Sequence, residues 1–165
     1  MAFDWTTFTL RIFIDRPQET VLDFWLSSGA LEKWFLTKAA FFDASNNPLK
    51  PKDAAWAGCR YRWEWVEGSV EEGDVVVVEK PSTFQVSWFG SAGKITVTTE
   101  FREGRTLLTL RQSCDLGDEE KNRECYSECS MGWNFYLTNL KSIAEGGIDL
   151  REKIVTTKNS GLINV

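Results

Sequence analysis

Residues 105–147 read RTLLTLRQSCDLGDEEKNRECYSECSMGWNFYLTNLKSIAEGG, and a change of period within them decides the fold. Up to Cys114 the chain alternates, with Thr106, Leu108, Leu110, Gln112 and Cys114 on one face and Leu107, Thr109 and Arg111 on the other. That is the two-residue repeat of a half-buried strand. Past Asp118 the repeat becomes helical. Asp118 suits an N-cap, Glu119 and Glu120 complement the positive end of the helix, and Gly146-Gly147 supply a stop. Tyr126, Cys129, Trp133, Tyr136, Leu137, Leu140, Ile143 and Ala144 form an apolar stripe, with Glu124, Glu128, Asn134 and Lys141 elsewhere on the wheel. A helix of roughly 27 residues is about 40 Å long, and its stripe requires a sheet to cover it.

The strands that could do so lie just upstream. Cys59, Tyr61, Trp63 and Trp65 alternate with Arg60, Arg62 and Glu64; Ser69 to Lys80 carries the β-branched run Val75 to Val78. Thr83 to Phe89 places Phe84, Val86 and Trp88 on one face, and Lys94 to Arg102 groups Ile95, Val97, Thr99 and Phe101. Gly90 to Gly93 and Glu103-Gly104 are turns, so these segments form an antiparallel meander. At the other end, Thr6 to Ile14 reads as a strand. Pro17 then opens a helix that Ser27-Ser28-Gly29 closes, and a short second helix runs from Ala30 to Phe35. Ala39 to Phe42 suits a short strand, and the Asn46-Asn47-Pro48 and Lys50-Pro51-Lys52 segments after it predict a mobile loop.

The order strand, two short helices, antiparallel strands, long helix predicts an α+β helix-grip fold. A curved antiparallel sheet of about six to seven strands wraps around a long C-terminal helix, with the two short helices after the first strand. We expect one domain over residues 1–151 and a tail, 152–165, packed on that domain or on a partner subunit. At this length about 70% of the unfolded chain's surface is buried.

Eight Trp, eleven Phe and three Tyr exceed what a small core needs to close itself, which points to rings lining a cavity. A net charge of −5 argues against the clustered basic surface that nucleic-acid binding requires. The chain has no His, which removes the commonest general base and transition-metal ligand. No stretch reaches the roughly 18 apolar residues of a membrane span, and Met1 to Leu10 lacks the pattern of a secretory leader, so a cytoplasmic protein is expected. Its four Cys then read as free thiols.

Seven segments, in order, resemble the activator of heat-shock protein 90 ATPase homologue-like family of the START and birch-pollen-allergen (SRPBCC) superfamily. They are Pro17 to Val21 leading to Trp25, Glu32 to Phe35, Gly58 to Tyr61, Glu67 to Val70, Phe84 to Trp88, Gly104 to Leu110, and Gly132-Trp133 with Leu137 and Leu140. The resemblance spans about Thr6 to Arg151 and implies the helix-grip fold. Eukaryotic co-chaperone members carry a separate N-terminal domain that contributes to stimulating the chaperone's ATPase, whereas this chain starts at the helix-grip strand. Stand-alone bacterial members look like binding domains for hydrophobic ligands or partners.

The expected ligand site is therefore the space between sheet and long helix, lined by Tyr61, Trp63, Trp65, Trp88, Gln112, Cys114, Tyr126, Cys129 and Trp133. The occupant would be a small hydrophobic or aromatic molecule, including a lipid, bound without covalent chemistry or cofactor. The alternatives are that the rings simply fill the core, and that Gln112 bonds to solvent near its strand end. Cys125 and Cys129 lie one helical turn apart, but no Cys-x-x-Cys knuckle and no His completes a metal site. No carboxylate pair stands out for acid/base work, and Glu71-Glu72-Gly73-Asp74 reads as a solvated strand edge or bulge. The acidic residues from Glu119 to Glu128 read as a solvated helix face or a docking surface for a basic partner. Rival functions are docking to the heat-shock protein 90 chaperone or another protein, and a cofactor-free cyclase or hydrolase. The protein is read as a monomer or homodimer.

Overall fold

The computed structural model describes residues 2–154. Its elements are β1 (Thr7–Ile14), α1 (Gln18–Leu26), α2 (Ser28–Trp34), β2 (Lys38–Phe42), β3 (Arg60–Glu64), β4 (Val70–Glu79), β5 (Thr83–Trp88), β6 (Gly93–Arg102), β7 (Arg105–Cys114) and α3 (Glu119–Ala144). The seven strands form one antiparallel sheet in the order β1-β7-β6-β5-β4-β3-β2. The first strand therefore crosses to pair with the last, and α1 and α2 sit in that crossover. The architecture is the helix-grip fold, α3 lying against the concave face.

The helix ends follow their sequence signals. The Asp118 carboxylate accepts the Lys121 amide at 3.0 Å, and Gly146 takes the positive φ of +85° that ends α3. Ser27, read as a breaker, also caps α2 by accepting the Ala30 amide at 3.3 Å, so that helix begins earlier than Ala30. Alternation positions the core: Phe84, Val86 and Trp88 of β5, Ile95, Val97 and Thr99 of β6, and Leu108, Leu110, Gln112 and Cys114 of β7 are all buried. Phe101 departs from this pattern at 60% exposure. It lies past Thr98, where β6 loses its pairing with β5, so one flank of the ring has no neighbouring strand although Thr106 opposite it on β7 is buried.

The segment expected to be a mobile loop is stitched in place. Asp43 accepts the Ser45 and Asn47 amides at 2.9 Å, Gly29 donates to the Pro51 carbonyl at 3.0 Å, and Ala55 donates to the Leu26 carbonyl at 2.7 Å. After α3 the chain turns back over α2. Asn139 donates to the Trp34 carbonyl and to Asp149, while Arg151 reaches the Leu36 and Glu32 carbonyls and pairs with Asp149 at 2.8 Å. Glu152, Lys153 and Ile154 are exposed; the rest of the tail expected to pack on the domain, residues 155–165, lies outside the described residues. Among the described residues no helix is long and apolar enough to cross a membrane.

Candidate functional site

Two parts of the concave face differ in how they are filled. Beneath α1 and α2, Trp25 and Trp34 pack at 4.6 Å and close the core. Toward the middle of α3 a cavity of about 480 Å³ remains open between the helix, the turn joining β3 to β4, the start of β4 and the end of β5. A further cleft of about 540 Å³, among Asp23, Leu26, Lys33, Pro51 and Lys80, has no aromatic wall.

The cavity wall is a chain of rings. Phe35, at the end of α2, lies 4.9 Å from both Trp133 and Tyr136 and 5.5 Å from Trp65. Trp88 stands 5.9 Å from Trp133 and 6.4 Å from Trp65, with Phe89 next to it. These offset and edge-on arrangements leave ring faces as well as edges along the wall. Gly132 contributes space: nothing lies within 4 Å of where its Cβ would stand.

Of the nine residues expected at the site, Trp65, Trp88, Cys129 and Trp133 line this cavity. Tyr61, Trp63, Gln112 and Cys114 are buried around it instead of on its wall. Trp63 supports Trp88 at 6.2 Å and Phe35 at 5.5 Å, and Tyr61 packs on Trp63 at 4.3 Å. The Tyr61 hydroxyl crosses β4 to donate to the Ser87 carbonyl at 2.6 Å, and its ring passes so close to Gly73 that a Cβ there would stand 2.8 Å from it. Gln112, 2% exposed, is satisfied within the protein: its Oε1 accepts the Trp133 indole N–H at 3.1 Å and its Nε2 faces the Cys125 sulfur. It fixes the Trp133 ring instead of bonding to solvent. Tyr126 is the displaced member. It packs against Phe3, Trp5 and Phe8 at 5.3–5.5 Å, because it lies two helical turns before Trp133 on α3.

Phe35, Tyr136, Phe89, Met131 and the carboxylates Glu67, Glu71 and Glu128 complete much of the lining. Glu71 corrects the expectation of a solvated edge: β4 is an interior strand, and Glu71 pairs across from Trp63 on the concave face. The bulge falls further on, between Val75 and Val77. Counting back by twos from the buried Val75 reaches Glu71, a signal the sequence contained. Its Oε1 accepts the Phe89 amide at 2.7 Å, holding a bulky residue at φ +51°, which costs roughly 1–2 kcal/mol in the left-handed region. Burial raises the Glu71 carboxyl above its ordinary range, and the Phe89 and Gly90 amides hold it back.

Burial also pushes the Cys129 thiol and the Tyr136 phenol each up to about 12. Both are protonated at neutral pH, and a protonated thiol is a poor nucleophile. All four cysteines are free, with Cys125 and Cys129 sulfurs 3.9 Å apart, and among the described residues no cluster of three or more Cys, Asp or Glu is arranged to hold a metal. Trp88 is 5% exposed, yet its indole N–H has no oxygen or nitrogen acceptor and faces only the Cys129 sulfur, a weak one.

Known structures share this architecture. The Aha1 dimer from Colwellia psychrerythraea is similar at a TM-score of 0.67 and 17% identity, covering 86% of this chain and 97% of that one. Protein MLL2253 from Mesorhizobium loti is similar at a TM-score of 0.66 and 20% identity, covering 84% and 96%. DynU16, of the dynemicin biosynthetic locus, is similar at a TM-score of 0.68 and 17% identity, covering 90% of this chain and 50% of that one. At such identities the likeness concerns the fold alone. No curated protein sequence matches the chain. The model of the family described as Activator of Hsp90 ATPase homolog 1-like protein matches residues 15–145, most of the helix-grip domain, and the chain belongs to that family.

Proposed function

We propose that this protein binds a small hydrophobic or aromatic molecule, without covalent chemistry, in the cavity between α3, the β3–β4 turn and the adjoining ends of β4 and β5. The observation that carries this reading is the open space itself: six aromatic side chains line a cleft of about 480 Å³ that opens to solvent beside α3. Native mass spectrometry of the purified protein, under gentle and then denaturing conditions, tests the reading. A discrete small mass that is lost on denaturation, and is absent from a variant whose cavity is filled at Gly132, is expected. A co-purifying mass that survives in the filled variant would place the ligand elsewhere and defeat the proposal.

Docking to the heat-shock protein 90 chaperone is a second reading, favoured by the family description. It would use the outer face, where Arg62 bonds to Glu64 and Glu72 at 3.0 and 2.7 Å. Under that reading Arg60→Glu with Arg62→Glu abolishes chaperone binding in a pull-down, while filling the cavity leaves it intact.

A further inference from the structure

The cavity is unbalanced in charge. Glu67, Glu71 and Glu128 line it, and no basic side chain does. Three nearby basic groups are already paired elsewhere: Arg151 and Lys153 with Asp149 at 2.8 and 3.1 Å, and Arg62 with Glu64 and Glu72 on the outer face. Glu71 cannot swing freely toward solvent, because the Phe89 amide holds its carboxylate at 2.7 Å on the concave side. Its negative charge therefore borders the cavity.

Aromatic walls act in the same sense as these carboxylates. The faces of Trp and Phe rings carry the negative end of a quadrupole and attract a cation within about 6 Å. An anionic headgroup would instead meet three carboxylates with no compensating donor cation.

We propose that the ligand is an organic cation, an aromatic or alkyl body that lies against Trp65, Trp88 and Trp133 and carries an ammonium group toward Glu67, Glu71 and Glu128. The inference rests on the reading of the cavity as a small-molecule site, and adds the charge of its occupant.

Three probes with one body separate the two claims. Naphthylmethylamine, naphthylmethanol and naphthylacetate present the same ring and methylene with a positive, neutral and negative head. Their affinities are measured by isothermal titration calorimetry at pH 7 on the whole protein, on Glu128→Gln, and on Gly132→Met. The amine should bind about tenfold or more tighter than the alcohol, with the acetate weakest, since ring faces and carboxylates both discriminate in that order. Glu128→Gln should shrink the amine's advantage severalfold and leave the alcohol unchanged, and Gly132→Met should weaken both. If the alcohol binds as tightly as the amine and both are lost in Gly132→Met, the cavity reading stands and the cation is wrong. If amine binding survives Gly132→Met, it reflects the acidic surface and the inference fails. If none of the three binds up to millimolar concentration, the cavity reading falls and takes the inference with it.

Discussion

The same helix meets the same sheet in two ways. Its C-terminal half, with Leu137, Leu140 and Ala144 buried, is sealed by Trp25 and Trp34 of the two short helices and by the Asn139–Asp149–Arg151 clasp. Its middle, around Cys129, Gly132 and Trp133, faces comparably large rings yet leaves a cavity. The difference lies in what covers the concave face. At the closed end the crossover helices insert side chains between sheet and α3; at the open end Phe35 alone of them lines the cavity, with Trp25 behind the wall 5.9 Å from Trp133. Aromatic residues thus serve as filling in one place and as walls in the other.

If the closed end is true core, truncating it should cost far more than truncating the open end. Trp34 is fully buried, packs on Trp25 and Phe35, and donates to the Phe24 carbonyl at 3.0 Å. Trp34→Ala should destabilise by about 3–5 kcal/mol, the usual range for removing a large buried ring. Trp65→Ala, at the half-buried cavity wall, should cost only about 1–2 kcal/mol on the area it buries. Urea denaturation of both variants makes the comparison, and equal losses would show that the cavity wall is load-carrying core.

The clasp sharpens the contrast through pH. Burial by itself would raise the Asp149 carboxyl, but hydrogen bonds from Arg151, Asn139 and Lys153 outweigh it and hold the group well below its ordinary value of 3.8. A depressed folded value stabilises the fold above the unfolded value, and that contribution drains away as pH falls through the folded one. Asp149→Asn should therefore lose about 1.5–3 kcal/mol at pH 7, the range for hydrogen bonds to a charged group. The gap from the parent should stay constant down to about pH 4 and narrow below it. A gap that does not vary with pH in denaturation at pH 7, 4 and 2.5 would mean that Asp149 acts by shape alone.

Why the fold was readable and the site only partly so follows from the same two regions. Periods of two and of about 3.6 residues are local properties, so the strands, α3 and the buried faces could be read from neighbours in sequence. The cavity wall joins Phe35, Trp88 and Trp133, which come together only through the sheet order and the crossover. A stripe on α3 tells which face is covered, but not which turn meets the cavity, and so the stripe alone groups Tyr126 with Trp133, which packs two turns further on. Tyr136 belonged to the same stripe and does line the cavity. Glu71 was hidden by its company. Between Val70 and Glu72 a carboxylate suggests an exposed strand, and only parity with Val75 reveals the inward face.

The smallest expected effect on stability is the sharpest test of the open end. A glycine inside a helix costs roughly 1 kcal/mol relative to a good helix former. Gly132 incurs that cost in the middle of α3, where its missing side chain borders empty space and relieves no close contact. Gly132→Met should regain some helix propensity, with the flexible thioether taking up cavity volume, for a net change within about 1 kcal/mol of zero. A core position would respond differently, since extra methylenes in a packed interior cost about 1–3 kcal/mol. Measured beside Trp34→Ala in the same denaturation series, an unchanged midpoint together with lost ligand binding would establish that this end of the grip is open space and not packed core, and a raised midpoint would add that it is kept open at the expense of helix stability. A loss of several kcal/mol would instead mean that the space closes in solution and that both ends of α3 are packed alike.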